Sequence, residues 1–452
     1  MSDETTRGDA TERGHLLRVL GVAFGLAVTV GMTIGMGILR TPGEVAAHLL
    51  DARLIMLAWL LGGLYALLGA VSVAELATLL PHSGGQYVYA RHALGAYPGF
   101  IVGWSDWLST CGTVAAVALV VAEYAGALVP QLAGRTLAVA LCATVTFALL
   151  QWRGVRWGNR AQGLTSLLKT LAFAALIGAC FIVGGRGPAA VAPFSDLVPT
   201  GWALLGALVL ALQGVLYTYD GWTATTYFGG EMHDSARAVP RAMIGGVLTV
   251  VAIYLLVNAG LLYVMPAWQL AGDKLAVGTA AQIIFGARAG VVISMLALVS
   301  LLAALNANTM AAPRILFAMS RDRLFWARAG AVNEGGTPSV ALVVSTLVAV
   351  VMLVFSGTFE RVLAALAFFF VTNYTLTFLS VFVLRRREPQ AKRPYRAWGY
   401  PWTTGAVLAG SIAFLIGAVA GDTANSVYAL VLLALSYPAF MLLKWGKRVS
   451  GD

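Results

Sequence analysis

VTVGMTIGMGILRTPG, residues 28–43, falls where the first membrane-length apolar run of the chain begins to end. It places glycines at 31, 35, 37 and 43 and a proline at 42 inside a segment whose neighbours are Val, Met and Ile. Each glycine costs a helix about 1 kcal/mol relative to alanine, and Pro42 disfavours helical backbone at the residue before it. Gly31-xxx-Gly35 also fits the GxxxG seam that lets two helices approach closely. Gly37 and Thr41-Pro42 go beyond that seam and point to an interrupted helix. In hydrocarbon, unpaired backbone survives only where it lines protein or a wet cavity. The N–H groups near Gly35, Met36 and Gly37 therefore call for an acceptor, and the start of the following half-helix adds partial positive charge. A carboxylate meets both demands.

The rest of the sequence supports a membrane setting. Of 452 residues, 59% are hydrophobic and 11% charged, against about 25% charged in soluble domains. Twelve apolar runs are long enough to span, at about 19–41, 54–80, 97–129, 136–152, 161–184, 200–230, 243–265, 286–312, 338–356, 360–384, 403–421 and 424–443. With both termini inside, the inside segments carry about three times as many Lys and Arg residues as the outside loops, which is the positive-inside pattern. The net charge of +10 is thereby topological, and nucleic acid is not implied as a partner. The polar N-terminal eighteen residues lead into a run too long for a signal-peptide core, so the first span is expected to be retained. The three cysteines fall inside spans and imply no disulfide framework. The five histidines show no metal-ligand spacing, and no cofactor is expected.

A second interruption occurs in the sixth run, at LYTYDGW (216–222). Two broken spans, five apart and of opposite orientation, are what an inverted 5+5 repeat predicts. The expected layout is a cytoplasmic tail (1–18), a transmembrane core (19–384, with repeats at about 19–184 and 200–384), a basic loop (385–402), helices eleven and twelve (403–443) and a second tail (444–452). Asp220 stands about twenty residues into its span, where a carboxylate costs several kcal/mol unless paired, protonated or wet. It is either a site residue or a structural acceptor that fixes the kink. Carbonyls near Tyr217 and Thr218 can accept from an ammonium group, while Tyr217, Tyr219 and Trp222 offer apolar or gating surface. Together the two breaks describe a receptor for a zwitterion. Lys169 lies well inside the fifth span; it either snorkels to the interface or stands as a fixed ammonium where a sodium-coupled relative would hold a cation. Glu75 is expected to tether a loop through a salt bridge, and RILFAMSRDRLF (314–325) to lie along the interface as a short amphipathic helix.

These residues resemble the amino acid–polyamine–organocation superfamily, and within it the bacterial relatives of the L-type amino acid transporters. Gly35-Met36-Gly37-Ile38 with Thr41-Pro42-Gly43 is similar to that family's G-S-G-I/V-F…P-G. Ala74-Glu75-Leu76 with PHSGGQYVYARHALG (81–95) resembles its A-E-L…P-x-S-G-G-x-Y, and Tyr217 to Trp222 its F-A-Y-D/S/G-G-W. Gly230-Glu231 with Val239-Pro240-Arg241-Ala242, Pro313-Arg314 with Met319-Ser320-Arg321-Asp322 and Thr337-Pro338, and Arg393-Pro394-Tyr395-Arg396 with Gly399-Tyr400-Pro401 complete the series in order. The resemblance implies an all-α, LeuT-type fold of twelve helices, with alternating access about a midplane site. It also implies a substrate site at Thr33, Ile34, Gly35, Met36, Gly37, Tyr217, Thr218, Asp220 and Trp222, with Tyr217 as gate. Lys169 matches the fifth-span lysine of sodium-independent members.

The chain departs from the family pattern at three places. Met36 replaces a small serine, Tyr217 replaces phenylalanine, and Arg40 places a cation beyond the break, where it can steer an anion or pair with Glu44. The loop between spans three and four lacks a cysteine, so a disulfide-linked heavy subunit is not expected. The reading is thus a multi-pass plasma-membrane permease that moves an amino acid, sodium-independently, by exchange or proton symport. A transporter-like sensor and an intramembrane aspartyl protease are the alternatives; for the protease, the partner motif of Tyr219-Asp220 is incomplete and in reversed order.

Overall fold

The computed structural model describes residues 16–35, 37–184, 198–273, 275–355 and 359–421, and, beyond them, 427, 430, 431 and 433–442. Met36, most of both tails and the start of the twelfth run lie outside the described residues. The described chain is a bundle of helices: α1 (Val22–Thr33), α2 (Gly37–Leu49), α3 (Ala52–Leu79), α4 (Gln86–Leu94), α5 (Ala96–Leu128), α6 (Thr136–Trp152), α7 (Val155–Ile182), α8 (Gly201–Tyr219), α9 (Ser235–Val264), α10 (Ala276–Phe285), α11 (Ala289–Arg321), α12 (Ser339–Phe355), α13 (Phe359–Arg387) and α14 (Trp402–Gly421). A last helical stretch covers Leu433–Leu442. Seven of the described segments are long and apolar enough to cross a membrane, and α1 with α2 forms an eighth, bent by 49°. The shorter apolar helices Thr136–Trp152, Ser339–Phe355, Trp402–Gly417 and Leu433–Leu442 fall on the expected fourth, ninth, eleventh and twelfth runs.

The sidedness of the spans suits a lipid solvent, most plainly in α7. In α7, Gln162, Ser166, Lys169 and Phe173 are buried at helical spacing, while Leu164, Leu167, Leu168 and Leu171 face outward. With no water outside to solvate polar groups, the polar stripe turns toward the bundle and the aliphatic stripe toward lipid. Helix starts are set locally in the usual way. Asp51 caps α3 by accepting from the N–H groups of Arg53 and Leu54, each at 2.9 Å.

Helices α5 and α11, the longest of the described helices, pack along each other, while α1 lies against α9, α7 and α11, and α2 against α8. Two expectations change here. The eighth span does not end near 312, because α11 continues through Arg321. Residues 314–321 therefore belong to a buried helix rather than an interfacial one, and Arg314 is buried instead of facing headgroups. The cause is Glu231: its carboxylate takes Arg314 Nε at 2.6 Å and Nη2 at 2.7 Å, so the helix carries its arginine inward as half of an ion pair. The first span likewise runs past residue 41, since α2 continues to Leu49 with Pro42 inside it, where the ring leaves the Ile38 carbonyl without its helical donor.

Glu75 tethers its loop as expected. It accepts from Arg385 Nε at 2.8 Å and Nη2 at 2.5 Å, lies 3.1 Å from Arg393 Nε, and caps the Ala397 N–H at 2.7 Å.

Candidate functional site

The helix interrupted between α1 and α2 faces the end of α8. The two breaks meet at Gly221, whose φ of +104° suits glycine and whose missing side chain leaves room for the backbone of Met32 and Thr33. Between them lies a cavity of about 90 Å³, lined by Thr33, Gly35, Gly37, Tyr217, Thr218 and Asp220 from the breaks. Its far wall comes from α5 (Thr113, Ala116, Val117), α11 (Ala304, Asn308) and α13 (Phe370). A smaller chamber of about 20 Å³ touches the other side of Tyr217, Asp220 and Phe370.

Six of the expected site residues therefore converge on one cavity. Ile34 and Trp222 do not line it. Ile34 is buried and contributes its carbonyl to the scaffold, accepting from Lys169 Nζ and from Ser300 Oγ at 3.0 Å. Trp222 packs parallel to Phe378, at 6.2 Å between ring centroids, and against Tyr374. It is a wall behind the cavity. Arg40 and Glu44 are both exposed and form no ion pair with each other among the described residues.

The three glycines of the first break have three different surroundings. A Cβ on Gly31 would sit 1.9 Å from Gln162 Nε2, so that glycine serves the close approach of α1 to α7. One on Gly37 would meet Thr218 Oγ1 at 2.7 Å, so Gly37 lets α2 pass α8. At Gly35 nothing lies within 4 Å, and that glycine opens directly on the cavity. The first N–H groups of α2 have no intrahelical acceptor. Thr33 Oγ1, buried in the cavity wall, also lacks a hydrogen-bond partner.

Lys169 is fully buried and does not snorkel. Its ammonium donates to the carbonyls of Gly31, at 2.9 Å, and Ile34. It thus sits among the carbonyl oxygens left by the end of α1. Beside it Ser166 Oγ donates to Ala27 O at 2.7 Å, and Gln162 Nε2 to the same carbonyl at 3.1 Å.

Asp220 accepts from the Tyr374 hydroxyl and still faces the cavity. It thus makes a structural hydrogen bond to α13 while also lining the cavity. Sequence reasoning missed Tyr254. Its hydroxyl lies 2.9 Å from Thr33 O and 3.0 Å from Thr218 O, bridging both breaks. It sits in the membrane-spanning part of α9, one turn before Asn258, and nothing in the local sequence singled it out. The wall residues Thr113, Asn308 and Phe370 were missed too, since nothing in their local sequence separates them from ordinary span residues.

On the side of the bundle where Arg314 meets Glu231, several contacts join the start of the first span to the turn after the second break. Glu231 lies in a helical turn, Ala224–Glu231, that follows the second break. Leu20 N donates to Glu231 O at 3.0 Å and His233 N to Leu20 O at 2.8 Å. Phe24 meets Phe228 edge to face at 4.9 Å, and the Arg314 guanidinium covers the Phe228 ring at 4.5 Å.

Comparisons with known proteins agree with this architecture. The family described as "Amino acid permease" matches residues 20–439. The serine/threonine exchanger SteT of Bacillus subtilis is 31% identical over 450 residues, covering 96% of this chain and 98% of that protein. The human b(0,+)-type amino acid transporter 1 is 26% identical over 393 residues, covering 84% of this chain and 79% of its own. The mouse Asc-type amino acid transporter 1 is 27% identical over 402 residues, covering 86% and 74%. The chain belongs to the amino acid permease family of the amino acid–polyamine–organocation superfamily: it is a multi-pass membrane transporter of secondary type, not an enzyme.

Proposed function

We propose, taking membership of the amino acid permease family as the premise, that the chain exchanges small neutral amino acids across the plasma membrane without sodium. The observation that carries this reading is the cavity between the two breaks. It joins unpaired N–H groups at the start of α2, an unpartnered Thr33 hydroxyl and the Asp220 carboxylate in a space of about 90 Å³. The substrate carboxylate takes the N–H groups beside Gly35 and Gly37. The α-ammonium takes the second lone pairs of the break carbonyls, whose first lone pairs Tyr254 and Lys169 already occupy. Tyr217 stands between the main cavity and the smaller chamber and acts as gate.

Lys169 supports sodium independence, because its ammonium supplies the positive charge for the carbonyl cluster. The small cavity and the likeness to a serine/threonine exchanger favour serine, threonine and alanine over leucine or lysine. The 5+5 inverted repeat, cytoplasmic termini and function without a disulfide-linked heavy subunit complete the proposal; they rest on the paired breaks, the loop charges and the absence of a cysteine between spans three and four.

The test is uptake of radiolabelled serine into proteoliposomes preloaded with serine or left empty, with threonine, alanine, leucine and lysine as competitors. Fast uptake only into loaded vesicles, blocked by threonine and alanine, is expected. Equal uptake into empty vesicles contradicts exchange, and block by lysine alone assigns Asp220 to a cationic side chain instead.

A further inference from the structure

Two sequence motifs take no part in the cavity: Val239-Pro240-Arg241-Ala242 and Arg393-Pro394-Tyr395-Arg396. The structure brings them together. Arg237, Arg241, Ile244 and Leu248 line a groove of about 500 Å³ whose other wall is Tyr395 and Trp398. The four residues of α9 follow one another at helical spacing on one face. The stripe begins with two arginines and ends in aliphatic side chains, and the helix from Arg237 to Leu248 rises about 16 Å, roughly half the thickness of the hydrocarbon core.

The state of each arginine separates this groove from the other basic clusters. Arg385 and Arg393 are bound to Glu75, and Arg314 to Glu231. Arg241 is exposed and has no ion pair among the described residues. Arg237 touches Asp234 only at 3.9 Å, with both side chains more than half exposed, a pairing of little strength. The opposite wall is rigid, because the Ala397 N–H is held by Glu75. Trp398 is 62% exposed and Leu248 50%, an aromatic at the edge and an aliphatic below it, as at a membrane interface. The Tyr395 hydroxyl is buried without a partner. Burial, and then Glu75, push its pKa up to about 12, so it remains a donor at physiological pH.

We propose that this groove binds one anionic phospholipid, its phosphate held by Arg237 and Arg241 and an acyl chain lying along Ile244 and Leu248. Charge complementarity selects an anionic headgroup, and the continuous step from guanidinium to aliphatic surface selects a lipid over a soluble anion. The site is separate from the cavity, so it stands whether or not the proposed substrate is correct. An occupant here would brace the start of α9, the helix whose Tyr254 bridges the two breaks.

The test is native mass spectrometry of the purified full-length chain, equilibrated in detergent with equal amounts of phosphatidylglycerol and phosphatidylcholine. One retained phosphatidylglycerol per chain is expected, in preference of about tenfold. Arg237→Gln/Arg241→Gln should abolish that preference while leaving the thermal shift given by serine unchanged. Leu248→Asn should lower retention of the lipid as a whole. Should the double variant fail to fold, Arg241→Gln alone carries the comparison, with a partial loss expected. Equal retention of both lipids, the same preference in the variants, or displacement by inorganic phosphate alone overturns the proposal.

Discussion

At the scale of single residues, the glycines of the opening stretch look alike in sequence and differ in surroundings. Gly35→Ala places a methyl in the cavity with nothing within 4 Å. It should weaken serine binding about tenfold, near 1.4 kcal/mol, without lowering the melting temperature in detergent; calorimetry and a thermal melt measure the two. Gly37→Val is the harsher change and the less clean one. Its Cβ meets Thr218 at 2.7 Å, so binding and melting temperature should fall together, and an unaltered melt would contradict the close approach described here. Lys169→Ala strips the ammonium from two carbonyls. Hydrogen bonds to a charged group contribute about 1.5–3 kcal/mol each, so a fall in melting temperature of several degrees is expected, and a melt equal to the wild type would sink that assignment. The sequence showed Asp220 and Lys169 because a charge inside a span is conspicuous. It did not show Tyr254, Thr113 or Asn308, whose contributions depend on which way a helix is rotated, a property of packing that no local pattern encodes.

At the scale of elements, the paired breaks were legible because glycine, proline and an isolated aspartate are poor company for a membrane helix. Helix lengths were less legible. The expected interfacial helix at 314–325 is the continuation of α11, since Arg314 is neutralised by Glu231, which lies far away in sequence. An arginine reads as a surface marker until its partner is known. Loss of one partner from a buried pair costs about 3–5 kcal/mol. Glu231→Gln should therefore destabilise the protein by an amount of that order and loosen the contact between the Ala224–Glu231 turn and α11. Faster labelling of a cysteine introduced near Phe228, with a lower melting temperature, is the expected result. Unchanged labelling would show that the pair does not hold this side shut. Breaking the Glu75 pair should leave such labelling nearer the wild type, because Glu75 binds the loop after α13.

At the scale of the whole molecule, a largely apolar interior also holds the polar stripe of α7, with Gln162, Ser166 and Lys169 inward and leucines outward. That stripe, the two breaks and their shared cavity make one proposed mechanism. Helix α11 packs against α1, and Leu20, Phe228 and the Glu231–Arg314 pair tie the start of the first span to the turn after the second break. In the proposed cycle these contacts loosen and re-form in turn, with the substrate bridging the breaks in between. We propose that Lys169, donating to the carbonyls of Gly31 and Ile34, lets this cycle run without sodium. Serine exchange by proteoliposomes, measured as sodium is replaced stepwise by choline on both sides, tests that claim most directly. The account predicts one rate throughout, zero sodium included; a rate that falls to background as sodium is removed would contradict it.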